Sequence, residues 1–432
     1  VLPTVLAFDS RDRLDAFTAA LQAVVDRHDV LRTAVMWEGL PQPVQVVARQ
    51  AGLPVEHIEL PTEDGLTHGA PERLLAACPT TMDLASAPLL RAYIAAEPGS
   101  ERWLLLVQQH HLVVDHTALG LLLSEVRAVL AGETGSLPEP RPYRDFVAQA
   151  RLGSPDAEHE RFFSELLGDV AEPTAPFGVL DVRGDAMKLT EARLSLAPEL
   201  AARLREQARR RGISAATLFH LAWARVVAAT SNRDDVVFGT VLFGRMSSGE
   251  RVPGLFINTL PIRTPVAAVS VTDALAAMRT QLADLVAHEH ASLALAQKCS
   301  GVEGSAPLFT ALLNYRHGEG PGLVDASAIG LPGVEVVYVH ERTNYPLTLT
   351  VDDFGDAFAL TVQAVDPIDA QSVCDLVDAT LAGVADAMEH TPGTVLANVD
   401  VLGREERQRL IVEWNDTFHE TPSGTLPELF AA

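Results

Sequence analysis

Residues 103–109 (WLLLVQQ) constrain the fold more than any other stretch of this chain. So continuous an apolar run has no polar side to offer to water, and it predicts a buried strand. The strand leads straight into His110, His111, Leu112, Val113, Val114, Asp115 and His116. Residues 117–131 (TALGLLLSEVRAVLA) then carry helical spacing, with Asp115 or Thr117 near the first turn. A buried strand, a titratable cluster and a helix start therefore adjoin within thirty residues.

The rest of the chain alternates in the same way. Leu14, Phe17, Leu21, Val24 and Val25 recur at helical spacing within 10–28, with Asp9 or Ser10 as the cap. Residues 132–142 are soft. Residues 168–186, rich in Pro, Gly and Asp, read as the connection between two lobes. The second half predicts helices at 198–211, with Pro198 in its first turn, at 214–230, capped by Ser214, and at 272–290. Strands are expected at 235–243, 308–315, 334–340, 345–352 and 357–364, and a last helix at 367–389. Without strict βαβ order, this mixture implies an α/β fold with a mixed sheet and two comparable lobes.

Composition narrows the function. With 33 basic and 57 acidic residues the net charge is −24, which argues against nucleic acid or an anionic membrane as partner. An apolar fraction of 47% excludes disorder as the dominant state. No apolar run approaches the roughly 18 residues of a membrane span. The first ten residues lack a secretory pattern, and Cys78, Cys299 and Cys374 lie far apart, so reduced thiols and a cytoplasmic location are expected. A start at Val1 rather than Met suggests a piece of something larger. There is no GxSxG, Gly-rich phosphate loop or GxGxxG to indicate a serine hydrolase, an NTPase or a dinucleotide enzyme.

The chemistry therefore centres on 110–116. An imidazole titrates near neutrality and can take a proton from an amine, a hydroxyl or an activated carbon. Adjacent strand residues point to opposite faces, so His110 and His111 should hold different roles. That geometry suits a metal poorly, and no metal is expected. A structurally satisfied histidine pair remains the competing reading of this pattern. His288 and His290, at i and i+2 on the predicted helix, face different ways and are not expected to ligate a metal together.

The cluster resembles the HHxxxDG signature of condensation domains in nonribosomal peptide synthetases. Further stretches resemble that family in the right order: 27–33 (RHDVLRT), 234–245 (DDVVFGTVLFGR), 254–263 (GLFINTLPIR), and 414–417 (WNDT) through 425–430 (TLPELF). The resemblance implies two chloramphenicol acetyltransferase-like lobes, 1–170 and 171–413, arranged as a V-shaped pseudo-dimer around a central tunnel. Residues 414–432 would be a linker and the start of an adenylation domain. The implied partners are upstream donor and downstream acceptor peptidyl carrier domains and the adjacent adenylation domain. No intrinsic cofactor is implied, because the phosphopantetheine arms belong to the carriers.

The same resemblance assigns roles to residues. His111 matches the functional second histidine, as general base or as the group that positions the amine. His110 matches the first, more structural histidine. Asp115 is expected to pair with Arg245. Asn258 and Tyr345 are candidates to line the tunnel, beside the alternatives of a turn-forming Asn and a core tyrosine. One position departs: His116 stands where the family has Gly. That replacement, with 314–317 (NYRH) and 341–349 (ERTNYPLTL), resembles the dual epimerisation/condensation subgroup, and His116 is expected to assist His111 or merely to cap the helix. The subgroup's N-terminal HHxxxxGD would precede Val1-Leu2-Pro3. The alternatives are condensation without epimerisation, a silent recruitment module, which His111 disfavours, and a free-standing coenzyme A acyltransferase, which the tail after Trp414 disfavours.

Overall fold

The computed structural model describes residues 1–61, 69–180, 189–244, 252–303, 306–317, 330–339, 343–418 and 425–431, without the side chains of His116 and Leu429. The first half contributes β1 (Leu2–Phe8), β2 (Thr33–Met36), β3 (Val44–Val47), β4 (Val55–His57), β5 (Leu90–Ala96) and β6 (Trp103–Gln109). The second half contributes β7 (Leu189–Ser195), β8 (Asp235–Phe243), β9 (Ile257–Pro265), β10 (Ala311–His317), β11 (Val334–Val339), β12 (Leu347–Asp353) and β13 (Phe358–Val365).

The apolar run becomes β6, the third strand of a five-stranded sheet ordered β11-β1-β6-β5-β4. It pairs antiparallel with β1 on one side and β5 on the other. Both faces are covered, which is why it shows no polar alternation. Leu105 and Val107 face the helices Arg11–Arg27 and His116–Leu130 through Phe17, Leu21, Leu122 and Val126. Leu104 and Leu106 face Leu74 and Cys78, at and just beyond the helix Ala70–Ala77.

A six-stranded sheet, β7-β13-β12-β10-β8-β9, forms the second lobe. Here β10 runs parallel to β8 and β12, and the remaining pairs are antiparallel, so the sheet is mixed as expected. Helices Pro198–Arg211, Ala215–Ser231, Val271–Ala287 and Ala370–His390 supply its core. The sheets do not divide the chain at one point. β11, from the second half, pairs with β1 and extends the first sheet. Among the described residues no single helix is long and apolar enough to cross a bilayer; the bent pair Pro198–Arg211 and Ala215–Ser231 passes by length and composition only, and most of its second helix lies in the core.

His220 lies within that second core. Its Nδ1 donates to the Ala216 carbonyl at 2.7 Å, so its Nε2 accepts from the Thr240 hydroxyl at 2.8 Å. Burial pushes its pKa down to about 4. The folded state thus binds fewer protons than the unfolded one below about pH 6.5. Stability is complete above that pH and falls as the pH drops towards 4, by about 3 kcal/mol over the window. Urea midpoints from pH 8 to 4 should show this slope, and His220→Gln should flatten it.

Candidate active site

β6 stops at Gln109, and the chain turns at once. The His110 N–H donates to the Leu89 carbonyl at 3.0 Å, and the Val113 N–H closes the turn on the His110 carbonyl at 3.1 Å. The His110 ring folds back so that its Nδ1 accepts the Leu112 N–H at 3.2 Å. Its proton therefore sits on Nε2. Burial holds its pKa below the usual histidine value. His110 is thus engaged in its own turn. The alternation argument for separating the two histidines does not apply, because neither lies on the strand. What separates them is that His110 is tied to the local backbone.

His111 is half-buried, and its Nδ1 is buried with no hydrogen-bond partner among the described residues. No carboxylate in the described structure orients that nitrogen, and Nε2 is the ring atom left for chemistry.

Asp115 is 2% exposed and closes the motif. It caps the helix His116–Leu130, its Oδ1 accepting the Ala118 N–H at 2.8 Å. Its other oxygen accepts the Phe256 N–H at 3.1 Å, and its own N–H donates to the Gly254 carbonyl at 3.2 Å. One buried aspartate therefore joins the motif to a segment from the second half of the chain. Phe256 is itself buried in the first lobe's core. Arg245, the expected partner of Asp115, lies outside the described residues. His116 begins the helix, and its side chain also lies outside the described structure.

The segment 27–33 supports the motif's helix from behind. Arg27 Nε and His28 Nε2 lie 3.1 and 2.8 Å from one oxygen of Glu125, on the helix His116–Leu130. Asp29 caps the turn Val30–Arg32.

The remaining candidates have partners of their own. Asn258 lies on β9, where its amide donates to the Glu289 and Ala291 carbonyls at 2.8 and 2.6 Å and accepts the Thr259 N–H at 2.9 Å. Tyr345 stacks on Phe309 with ring centroids 5.6 Å apart, and burial pushes its pKa up to about 12. In segment 314–317, Arg316 pairs with Asp352 at 2.7 Å, and the Tyr315 hydroxyl donates to Asp353. Arg205 binds the other Asp353 oxygen at 2.7 Å. Burial would raise the Asp353 pKa, but Arg205 and Tyr315 outweigh it and bring it down to about 2. His288 does not join His290. It places its Nδ1 2.7 Å from that of His159, while His290 packs edge-on to Phe146. Among the described residues no three His, Cys, Asp or Glu side chains gather to hold a metal.

The family model of the condensation domain matches residues 1–411. This chain belongs to the condensation-domain family. It is 44% identical over 420 residues to malpibaldin synthetase of Mortierella alpina, an alignment covering 96% of this chain and 8% of that protein. The domain thus spans less than a tenth of that relative's length. Its fold matches the first condensation domain of the CDA synthetase, with a TM-score of 0.63, 18% identity and 93% of both chains covered. It also matches part of a four-domain nonribosomal peptide synthetase bound to AMP and glycine, with a TM-score of 0.71, 14% identity, 93% of this chain and 32% of the other covered. The two sheets are the two acetyltransferase-like lobes expected of a condensation domain.

Sequence reasoning named Asp115 and the 254–263 segment but not the hydrogen bonds that join them, nor Tyr143, which packs against the same segment. A Tyr after Pro-Arg-Pro carries no local signal of a contact 112 residues away. Asp115→Ala should cost the cap, about 1 kcal/mol. It should also orphan the buried Phe256 N–H, a further cost of about 1–3 kcal/mol. Urea unfolding should register the sum. Activity lost with no stability change would instead make Asp115 a participant in the chemistry.

Proposed function

We propose that this condensation domain joins a donor aminoacyl or peptidyl thioester to the amine of an acceptor aminoacyl thioester, each held on the phosphopantetheine arm of a carrier domain. The observation that supports the reading is the His111 imidazole, half-buried and not hydrogen-bonded to its own turn among the described residues. The acceptor nitrogen attacks the thioester carbonyl, the C–N bond forms and the C–S bond breaks; the amine's surplus proton passes to the departing sulfur, which stays on the donor arm as a free thiol. His111 Nε2 accepts a hydrogen bond from the amine and directs its lone pair. His111 serves as the general base or as the group that positions the amine. The multidomain setting of the four-domain match supports carrier and adenylation neighbours.

The finer reading is dual activity, in which the donor Cα is first inverted from L to D. It rests on His116 in place of Gly and on the subgroup-like segments 314–317 and 341–349. Inversion requires a proton to leave one face and return on the other. The helix start offers the enolate limited help, since Asp115 already caps it through Ala118.

The test supplies a defined L-donor on its carrier and an acceptor on the next, in deuterated buffer, and reads the product by chiral chromatography. Condensation should be lost by about 100-fold or more in His111→Ala. Undiminished product from that variant would contradict the proposal. A D-configured, deuterated donor residue supports dual activity, and His116→Gly should then slow the exchange. An L residue without deuterium reduces the domain to ordinary condensation.

A further inference from the structure

Residues 254–256 are held from two sides. Asp115 holds one side through the two backbone hydrogen bonds given above. Tyr143 holds the other. Its phenolic hydroxyl donates to the Leu255 carbonyl. Its ring meets that of Phe256 edge-on, with centroids 5.4 Å apart at 87°. The same ring fills the place where a Cβ on Gly254 would sit, 2.5 Å from Cε2, and Gly254 has a φ of +153°. Glycine is therefore required there on two counts, conformation and space.

Tyr143 is fixed in turn. It begins the helix Tyr143–Leu152, and its backbone N–H lies 3.0 and 3.1 Å from the two carboxylate oxygens of Asp29. Phe146, one turn on, packs its ring 4.4 Å from that of Phe256. Core packing alone would need only the ring. The hydroxyl adds a directional bond to one carbonyl of the segment whose neighbours, Gly254 and Phe256, contact Asp115.

We propose that Tyr143, backed by Asp29, is a positioning residue for the condensation reaction. It fixes the level of 254–256, which fixes Asp115, which fixes the short turn that carries His111. The inference rests on the proposed role of His111, and it names the part of the fold that sets the imidazole's place.

Tyr143→Phe keeps the ring and removes the hydroxyl that bonds the Leu255 carbonyl. A displacement of about 1 Å at a reacting group can cost about 100-fold. We therefore expect kcat to fall by about tenfold or more. The KM for each carrier-bound substrate should stay within about twofold, and the melting temperature should fall by only a few degrees, as for one lost hydrogen bond. Spectra of 15N-histidine-labelled protein give a readout independent of turnover, with the His111 resonance identified by its loss in His111→Asn. That resonance should move in Tyr143→Phe while those of His159, His220 and His288 stay in place. Asp29→Asn should give the same pattern more weakly. If the wild-type domain forms no peptide bond, the proposed function fails, and the His111 spectrum still decides the positioning role. An unmoved His111 resonance, an unchanged kcat, or a loss of kcat matched by movement of every histidine and a large fall in melting temperature would each overturn it.

Discussion

A buried carboxylate has to be surrounded by hydrogen-bond donors, because an unsatisfied charge in the interior costs far more than a contact gains. Asp115 meets that demand with donors from both halves of the chain: the Ala118 N–H at the start of its own helix and the Phe256 N–H from the strand's approach to β9. The requirement makes a distant segment part of the motif. Gly254 must then pass close to Tyr143, Phe256 must be buried in the first lobe's core, and the turn from His110 to Asp115 has both of its ends fixed.

Within that frame the two histidines divide by hydrogen bonding rather than by strand geometry. His110 accepts a backbone N–H two residues on and stabilises the turn. His111 has no such bond, and its Nδ1 meets no described partner. A histidine held in place by its backbone and uncommitted through its ring can accept a hydrogen bond from an incoming amine without first breaking one. The Asp115 carboxylate, for its part, accepts the backbone N–H groups of Ala118 and Phe256.

Much of this was legible in the sequence wherever the signal was local. The run 103–109 became β6 with the expected bounds, and Pro198, Ser214 and Asp115 start their helices as anticipated. Apolar periodicity is a property of consecutive residues, so it survives without a structure. The strands at 2–8, 90–96 and 257–265 were not anticipated, since the first two are short apolar runs without flanking signals and the third was read only as a motif. The strand at 334–339 was expected, but its partner was not: it pairs with β1 across more than 300 residues. Non-local pairing also hid Tyr143 and its support from Asp29, as well as the two carbonyls that hold Asn258 and the His159 ring that meets His288.

The central claim is that Asp115 and Tyr143 act on one cross-lobe segment and through it on His111. A double-mutant cycle on kcat for condensation, using Asp115→Asn and Tyr143→Phe, tests it most directly. If both residues hold the same segment, the second substitution should matter much less once the first is made, with a coupling energy of about 1 kcal/mol or more. Losses that simply add, to within about 0.5 kcal/mol, would contradict the account.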